Sequence, residues 1–354
     1  MSKVLLVDFY AKGHNRNYIK HIIKANYNND VVAIYPEDSL KNTKVYKCEE
    51  NQVCKSIFKY ILFISELKKI LFEEQPDIVH FLTGDKLYRF FGIGLYHELK
   101  NCKSIVTFHH LRTNGLRKMS LKHICRSFDK CVVHSEELEN QLNELKIDNV
   151  EVIHYPHFNK ITNKSKDEIR DELGIPKEKF VFGAFGGTRY DKGLDLLIQA
   201  MKKIVSDNKN TLLLIAGKEV DFSKDYIKDN TFEIEENIKI DMRPIPDELY
   251  EEYLKCVDVI VLPYRSSFNG ASGPLNEGVI YGKQIVGPSH GNLGACIEKY
   301  KLGKMFISED IVSLEEALQS TYSDRFLISD EYKKYKNMLS VDMFYDNYRK
   351  LYKN

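Results

Sequence analysis

Short, nearly continuous apolar runs alternate with longer stretches of helical periodicity along almost the whole chain, and the alternation breaks off once and restarts. In the first half the runs lie at 4–10, 31–35, 78–82, 104–108, 130–134 and 152–155. Strands that read as unbroken apolar segments are strands covered on both faces. Helical patterns fall between them at 17–24, 57–73 and 136–145. The order β-α-β-α predicts a parallel, doubly wound sheet.

From 159 to 179 the chain becomes polar and charged, which reads as an interdomain connection carrying one short helix. Beyond it, strands are expected at 180–185, 211–216, 238–242, 259–262 and 284–287, with helices at 194–206, 247–255, 274–281 and 314–321. The predicted class is therefore α/β, with two Rossmann-like domains facing a cleft. The first spans 1–160 and the second 175–330, and a helical tail at 331–354 is expected to pack back on the first. In open α/β sheets ligands bind at the carboxyl ends of strands, so each domain would present one partner to the cleft.

Composition excludes several classes. A formal net charge of +1 offers no global attraction for a polyanion, which argues against nucleic acid. The seven cysteines are odd in number and none forms a C-x-x-C pair, so a disulfide framework or zinc site is not expected and a reducing cytoplasm fits. No stretch reaches the roughly 18 uninterrupted apolar residues that a membrane span needs. The most apolar helical segment, 57–72, contains Lys59, Glu66, Lys68 and Lys69 and reads as an amphipathic helix on a core.

Five places carry candidate chemistry. After the strand at 180–185 come Gly186, Gly187, Thr188, Arg189, Tyr190, Asp191, Lys192 and Gly193, leading into a helix. Backbone N–H groups at a helix start favour anions, and Arg189 and Lys192 add full charges, so the segment suits a diphosphate. An ordinary strand-to-helix turn with solvated cations remains the other reading. The spacing matches neither the dinucleotide nor the NTPase glycine fingerprint.

The second place is Asn269-Gly270-Ala271-Ser272-Gly273-Pro274-Leu275-Asn276-Glu277. Ser272 is a helix cap, Pro274 suits the first turn, and Glu277 lies about one turn in. A carboxylate there can accept both hydroxyls of a ribose while phosphates sit on the helix end. Taken alone, it is equally a well-capped helix with an exposed Glu.

The third is His109, followed by His110, at the end of the strand at 104–108; it can hydrogen-bond a sugar or move a proton. No third ligand lies near the pair in sequence, so metal is not expected. Gly13-His14 follows the first strand, either as a close approach to ligand or as a plain turn. Last, 112–130 concentrates Arg112, Arg117, Lys118, Lys122, His123 and Arg126, as a solvated face or a contact with anionic lipid.

The second half resembles the donor domain of the GT-B glycosyltransferases of family 4, or glycosyl transferases group 1, through FGGTRYDKGLDLLIQAM, LLLIAG, IPDELYEEYLKCVDVIVLPY, GASGPLNEGVIYGKQIVG and HGNLGACIEKYKLGKMF. The first half is similar more loosely, through AKGH, IVTFHH, CVVHSEEL and VIHYP, in the family's order. The resemblance implies a retaining, metal-independent transfer from a nucleotide-sugar, which is a substrate, so that no cofactor is needed. It implies that Arg189 and Lys192 neutralise the donor diphosphate, with Gly187 beside them in the loop. The amides of Ser272 and Gly273 would bind the same phosphates, and Glu277 the ribose. His109 would contact the sugar near the reacting carbon, and Gly13 would lie near the donor. The acceptor would be a glycan or lipid-linked intermediate of surface polysaccharide synthesis, with peripheral membrane contact through 112–130.

The sequence departs from the family at Asn269, eight positions before Glu277, where the family has a second glutamate. Two alternatives stand beside the transferase reading: an epimerase or hydrolase that uses the same donor site without an acceptor, and a non-catalytic nucleotide-sugar-binding subunit, which Asn269 supports.

Overall fold

Apolar runs without alternation cannot leave a face in water, and in the computed structural model they form two parallel sheets with helices on both sides. Residues 2–11, 14–38, 40–158, 162–268 and 272–353 are described. Gly13 and Asn269, two of the candidate residues, lie outside them.

The first sheet contains β1 (Lys3–Val7), β2 (Asp30–Tyr35), β3 (Lys44–Lys47), β4 (Ile78–Phe81), β5 (Lys103–Phe108), β6 (Lys130–Val133) and β7 (Val150–Val152). Their order is β3-β2-β1-β4-β5-β6-β7. The second contains β8 (Phe180–Phe185), β9 (Thr211–Ala216), β10 (Ile238–Asp241), β11 (Val259–Val261), β12 (Gln284–Pro288) and β13 (Gly303–Phe306). Their order is β10-β9-β8-β11-β12-β13. The strand order reverses between β1 and β4 in one sheet and between β8 and β11 in the other, which opens a crevice at the carboxyl ends of those strands.

Two edge strands were not expected. β3 is the polar tetrapeptide KVYK and none of its residues is fully buried, so it shows no apolar run; pairing along β2 makes it a strand. β13 pairs along β12 at one edge of the second sheet in the same way. The last strand of the first sheet sits at Val150–Val152 rather than 152–155.

The chain divides into two compact units, residues 1–156 with 341–354 and residues 157–340. Two boundary expectations need correction. The polar stretch 159–179 is not a free connection, because its helix Lys166–Leu173 belongs to the second unit. A capping box between Ser165 and Glu168 starts that helix. Buried Arg170 then bonds the carbonyls of Cys256, Lys177 and Lys179 and the carboxylate of Asp258. Its charge made the segment look solvated, but every bond it makes is inside.

The tail is likewise two helices. Asp330–Met338 stays with the second unit, where the Tyr335 hydroxyl donates to Asn276 Oδ1 at 2.8 Å and that of Tyr332 to the Lys283 carbonyl at 2.8 Å. Val341–Leu351 packs against helix His14–Ala25 of the first unit. There the hydroxyls of Tyr18 and Tyr348 bond each other, and Tyr352 reaches His80 Nδ1 at 2.5 Å. Phe344, Tyr348 and Tyr352 are buried, and each such side chain contributes roughly 1.5–3 kcal/mol by leaving water.

Candidate functional site

In the second unit β8 ends at Phe185, and the loop that follows must turn at once to reach helix Leu194–Asp207. Gly186 makes the turn at φ +104°, where an L side chain is strained. A Cβ there would stand 2.8 Å from Lys192 Nζ, so the glycine also leaves room for the ammonium. Gly187 follows, and the Thr188 hydroxyl ties this loop to the one after β9, donating to the Phe222 carbonyl at 2.7 Å.

Residues Tyr190–Lys192 form one 3-10 turn, closed by Gly193 in the left-handed region at φ +62°. Gly193 abuts the Pro263 carbonyl so closely that no Cβ fits, which presses this turn onto the segment after β11. Arg265 fastens the same contact. It donates to the Tyr190 carbonyl at 2.6 Å and pairs with both oxygens of Asp195 at 3.0 and 2.6 Å.

The two candidate cations behave differently. Arg189 is exposed, and its guanidinium is held by both oxygens of Asp191 at 2.9 and 2.7 Å. Lys192 lies deeper, 5.6 Å from the centre of the Tyr264 ring. Burial, with the neighbouring Arg189 charge, lowers its pKa, while Asp191 and Glu277 pull the other way. Among the described residues the Lys192 ammonium makes no hydrogen bond or ion pair, so its charge is available to an anion.

Helix Gly273–Ile280 begins opposite. Ser272 caps it, its Oγ accepting from the Leu275 amide at 3.3 Å, with Pro274 in the first turn. Tyr264 lies 3.3 Å from the same Oγ through its hydroxyl and stacks near Phe268, with ring centres 4.3 Å apart. Phe268 in turn lies 5.8 Å from the Arg189 guanidinium. Glu277 returns toward the helix start, and a Cβ on Gly273 would be 3.7 Å from its Oε2. The partly buried Tyr250 donates its hydroxyl to that oxygen at 2.6 Å. The fold thus gathers Gly187, Arg189, Lys192, Ser272, Gly273 and Glu277 at the strand-order reversal, where a helix N-terminus and a half-buried cation favour phosphate.

His109 belongs to the first unit, at the end of β5. Asp85 fixes the turn, its carboxylate accepting the His109 and His110 amides at 3.1 and 2.9 Å. His109 Nε2 lies 3.0 Å from the Leu82 carbonyl, which can only accept, so Nε2 carries the proton. Its ring packs against Tyr18 and His134, with centres 5.1 and 4.9 Å away. His110 is exposed.

The family model for glycosyl transferases group 1 matches residues 165–338, and that for glycosyltransferase family 4 matches residues 14–156. This chain is a GT-B glycosyltransferase of those families. Solved structures share the fold at low identity. A glycosyltransferase of Rickettsia africae is 16% identical, with a TM-score of 0.76 over 99% of this chain and 98% of its own. HepE of Anabaena, solved with UDP, is 13% identical, with a TM-score of 0.73 over 99% of each chain. Sucrose-phosphate synthase of Thermosynechococcus elongatus is 15% identical, with a TM-score of 0.71 over 100% and 98%. No functionally curated protein matches the chain by sequence.

Several residues around the candidate site were not anticipated. Tyr264 sits in the run VIVLPY and reads as core, and Tyr250 lies in the helix DELYEEYLKC, half of whose residues are charged. Arg265 and Asp195 are 70 positions apart and carry no shared pattern. Only the Tyr-Arg after the Pro of VIVLPYR, at the end of a buried strand, could have flagged a site.

Proposed function

We propose that this glycosyltransferase takes its sugar from a nucleoside diphosphate donor held in the second unit and transfers it with retention of configuration. The observation that carries the reading is the half-buried, unpaired Lys192 ammonium facing the same space as the Ser272-capped helix start and Glu277. Lys192 and Arg189 meet the diphosphate charge, which grows as the bond to the sugar breaks. The amides of Ser272 and Gly273 bind the phosphates, and Glu277 accepts the ribose hydroxyls. His109 acts at the sugar, and the charge is met without a metal ion. The acceptor is a glycan or a lipid-linked intermediate, as in surface polysaccharide synthesis, for which the cationic segment 112–130 is the support.

HepE of Anabaena has been solved with UDP and with UDP-glucose, which puts uridine donors first in the test. Thermal unfolding of the purified protein with UDP, GDP, ADP and their glucose conjugates should show stabilisation by one nucleotide. Glu277→Ala should weaken that binding by about 1–3 kcal/mol. If no nucleotide stabilises the protein, or the variant binds as well, the donor site is misassigned. Binding with no turnover on any acceptor or in water, unchanged by His109→Ala, would favour the non-catalytic reading that Asn269 raises.

A further inference from the structure

In the first unit the helix Ile57–Glu74 is apolar on both sides. Tyr60, Phe63, Leu67 and Ile70 fill the core, yet Phe58 is 65% exposed and Ile61 59%, with Ile57 and Leu62 beside them. These four recur at i, i+1, i+4 and i+5, so they form one stripe over the first two turns. The stripe carries Lys59 at its edge and meets no carboxylate before Glu66.

The exposed apolar surface continues onto two further elements. The Tyr60 hydroxyl bonds the Ile93 carbonyl at 2.8 Å, and a Cβ on Gly94 would lie 3.8 Å from Ile64, which seats the loop 88–94 against this helix. Ile93 itself is largely exposed. The other side of the loop meets helix Gly115–Arg126, where Ser120 bonds the Tyr88 carbonyl at 2.8 Å. Leu116, one turn before Ser120 on the same face, is 72% exposed, and Met119 next to it 61%. Exposed apolar side chains gathered on adjoining elements in this way mark a contact.

Charge identifies the contact. Residues 112–126 hold five Arg and Lys side chains and no carboxylate. Arg112, Arg117, Lys118 and Lys122 make no ion pair among the described residues. Two copies meeting through this face would set cations against cations. Apolar side chains ringed by unpaired cations match instead the headgroup and acyl boundary of an anionic bilayer.

We infer that the first unit docks on anionic lipid by inserting the apolar side chains of helix Ile57–Glu74, Ile93 and the start of helix Gly115–Arg126, while the cations of 112–126 bind headgroups. No helix of the described residues is long and apolar enough to cross a membrane, so the contact is peripheral. The inference does not depend on the donor site, because vesicle binding is read without turnover.

The full chain should co-sediment with vesicles of phosphatidylcholine and phosphatidylglycerol, and not with phosphatidylcholine alone. Replacing Arg117, Lys118 and Lys122 together with Gln should weaken binding roughly a hundredfold at low salt and flatten its salt dependence. Phe58→Ser with Ile61→Ser, and separately Leu116→Ser with Met119→Ser, should abolish binding at any salt while leaving thermal unfolding unchanged. The chain has no Trp, so Phe58→Trp provides a single tryptophan whose emission, excited selectively beyond the tyrosine band, should shift to the blue on anionic vesicles. Equal binding to both vesicle types, full binding by the serine variants, or unshifted emission would overturn the inference. So would a dimer in sedimentation that Phe58→Ser with Ile61→Ser converts to monomer.

Discussion

Lys192 and Arg189 come from one short turn but have different uses. Arg189 is exposed and already shares its charge with Asp191, so removing it alters a screened pair of small net worth. Lys192 is partly withdrawn from water without an ion-pair partner, a cost that a bound diphosphate offsets. Lys192→Ala should therefore lower kcat by roughly two to three orders of magnitude, with a smaller effect on donor affinity. Steady-state rates beside donor titrations check this; equal losses in both would mean the ammonium serves binding alone. At this scale the sequence was informative where chemistry and backbone constraint coincide, as at Lys192 after Gly186-Gly187 and at Ser272 before Pro274. It was silent on Tyr250, Tyr264 and Asp85, whose polar atoms matter through partners far away in sequence.

Among strands, those buried on both faces were the clearest to read, and two at sheet edges were missed. β8 and β9 were legible to the residue because both faces are buried and nearly every position is apolar. β3 and β13 lie at sheet edges, where neighbours supply the order that composition does not. Helix Gly291–Lys299 begins with Gly and contains another, which hides its period. The loop from β8 to helix Leu194–Asp207 owes its shape to Gly186. Gly186→Ala should strain that turn by about 1–2 kcal/mol and push the Lys192 ammonium aside. Turnover should then fall sharply while the second unit stays folded, as calorimetry and rates on the same sample would show. Unchanged turnover would mean that the position of Lys192 over Gly186 is not used.

At the scale of the whole molecule, the first unit contains buried groups that acid should find. Burial, with the charge of His109 nearby, lowers the pKa of His80 and His134 to about 3. An exposed imidazole titrates near 6.5. Below that value the unfolded chain binds protons that the native unit refuses, so the stability contributed by these groups is complete above about pH 6.5 and is lost as the pH falls toward 3. Asp8 works in the opposite sense. Burial raises its carboxyl to about 7, so its contribution is present in acid and is lost as the pH rises to that value. Two histidines against one carboxyl make the first unit acid-labile. Its unfolding temperature should drop between about pH 7 and about pH 4, and His80→Gln should flatten the drop. A level profile would show that these imidazoles titrate normally.

Deleting 341–354 should unfold the first unit and spare the second, since Phe344, Tyr348 and Tyr352 belong to the core of the first. A donor-induced shift retained after loss of near-ultraviolet signal from the first unit would show it; an intact first unit would refute it. The position of helix Val341–Leu351 also orders events at the ribosome. Most of the first unit is translated before the second, yet one of its walls is a helix made only after all of His157–Ser340 has emerged. Until then Tyr18 and His80 lack their partners, and the nascent first unit waits half-built while the second, continuous in the chain, can finish ahead of it.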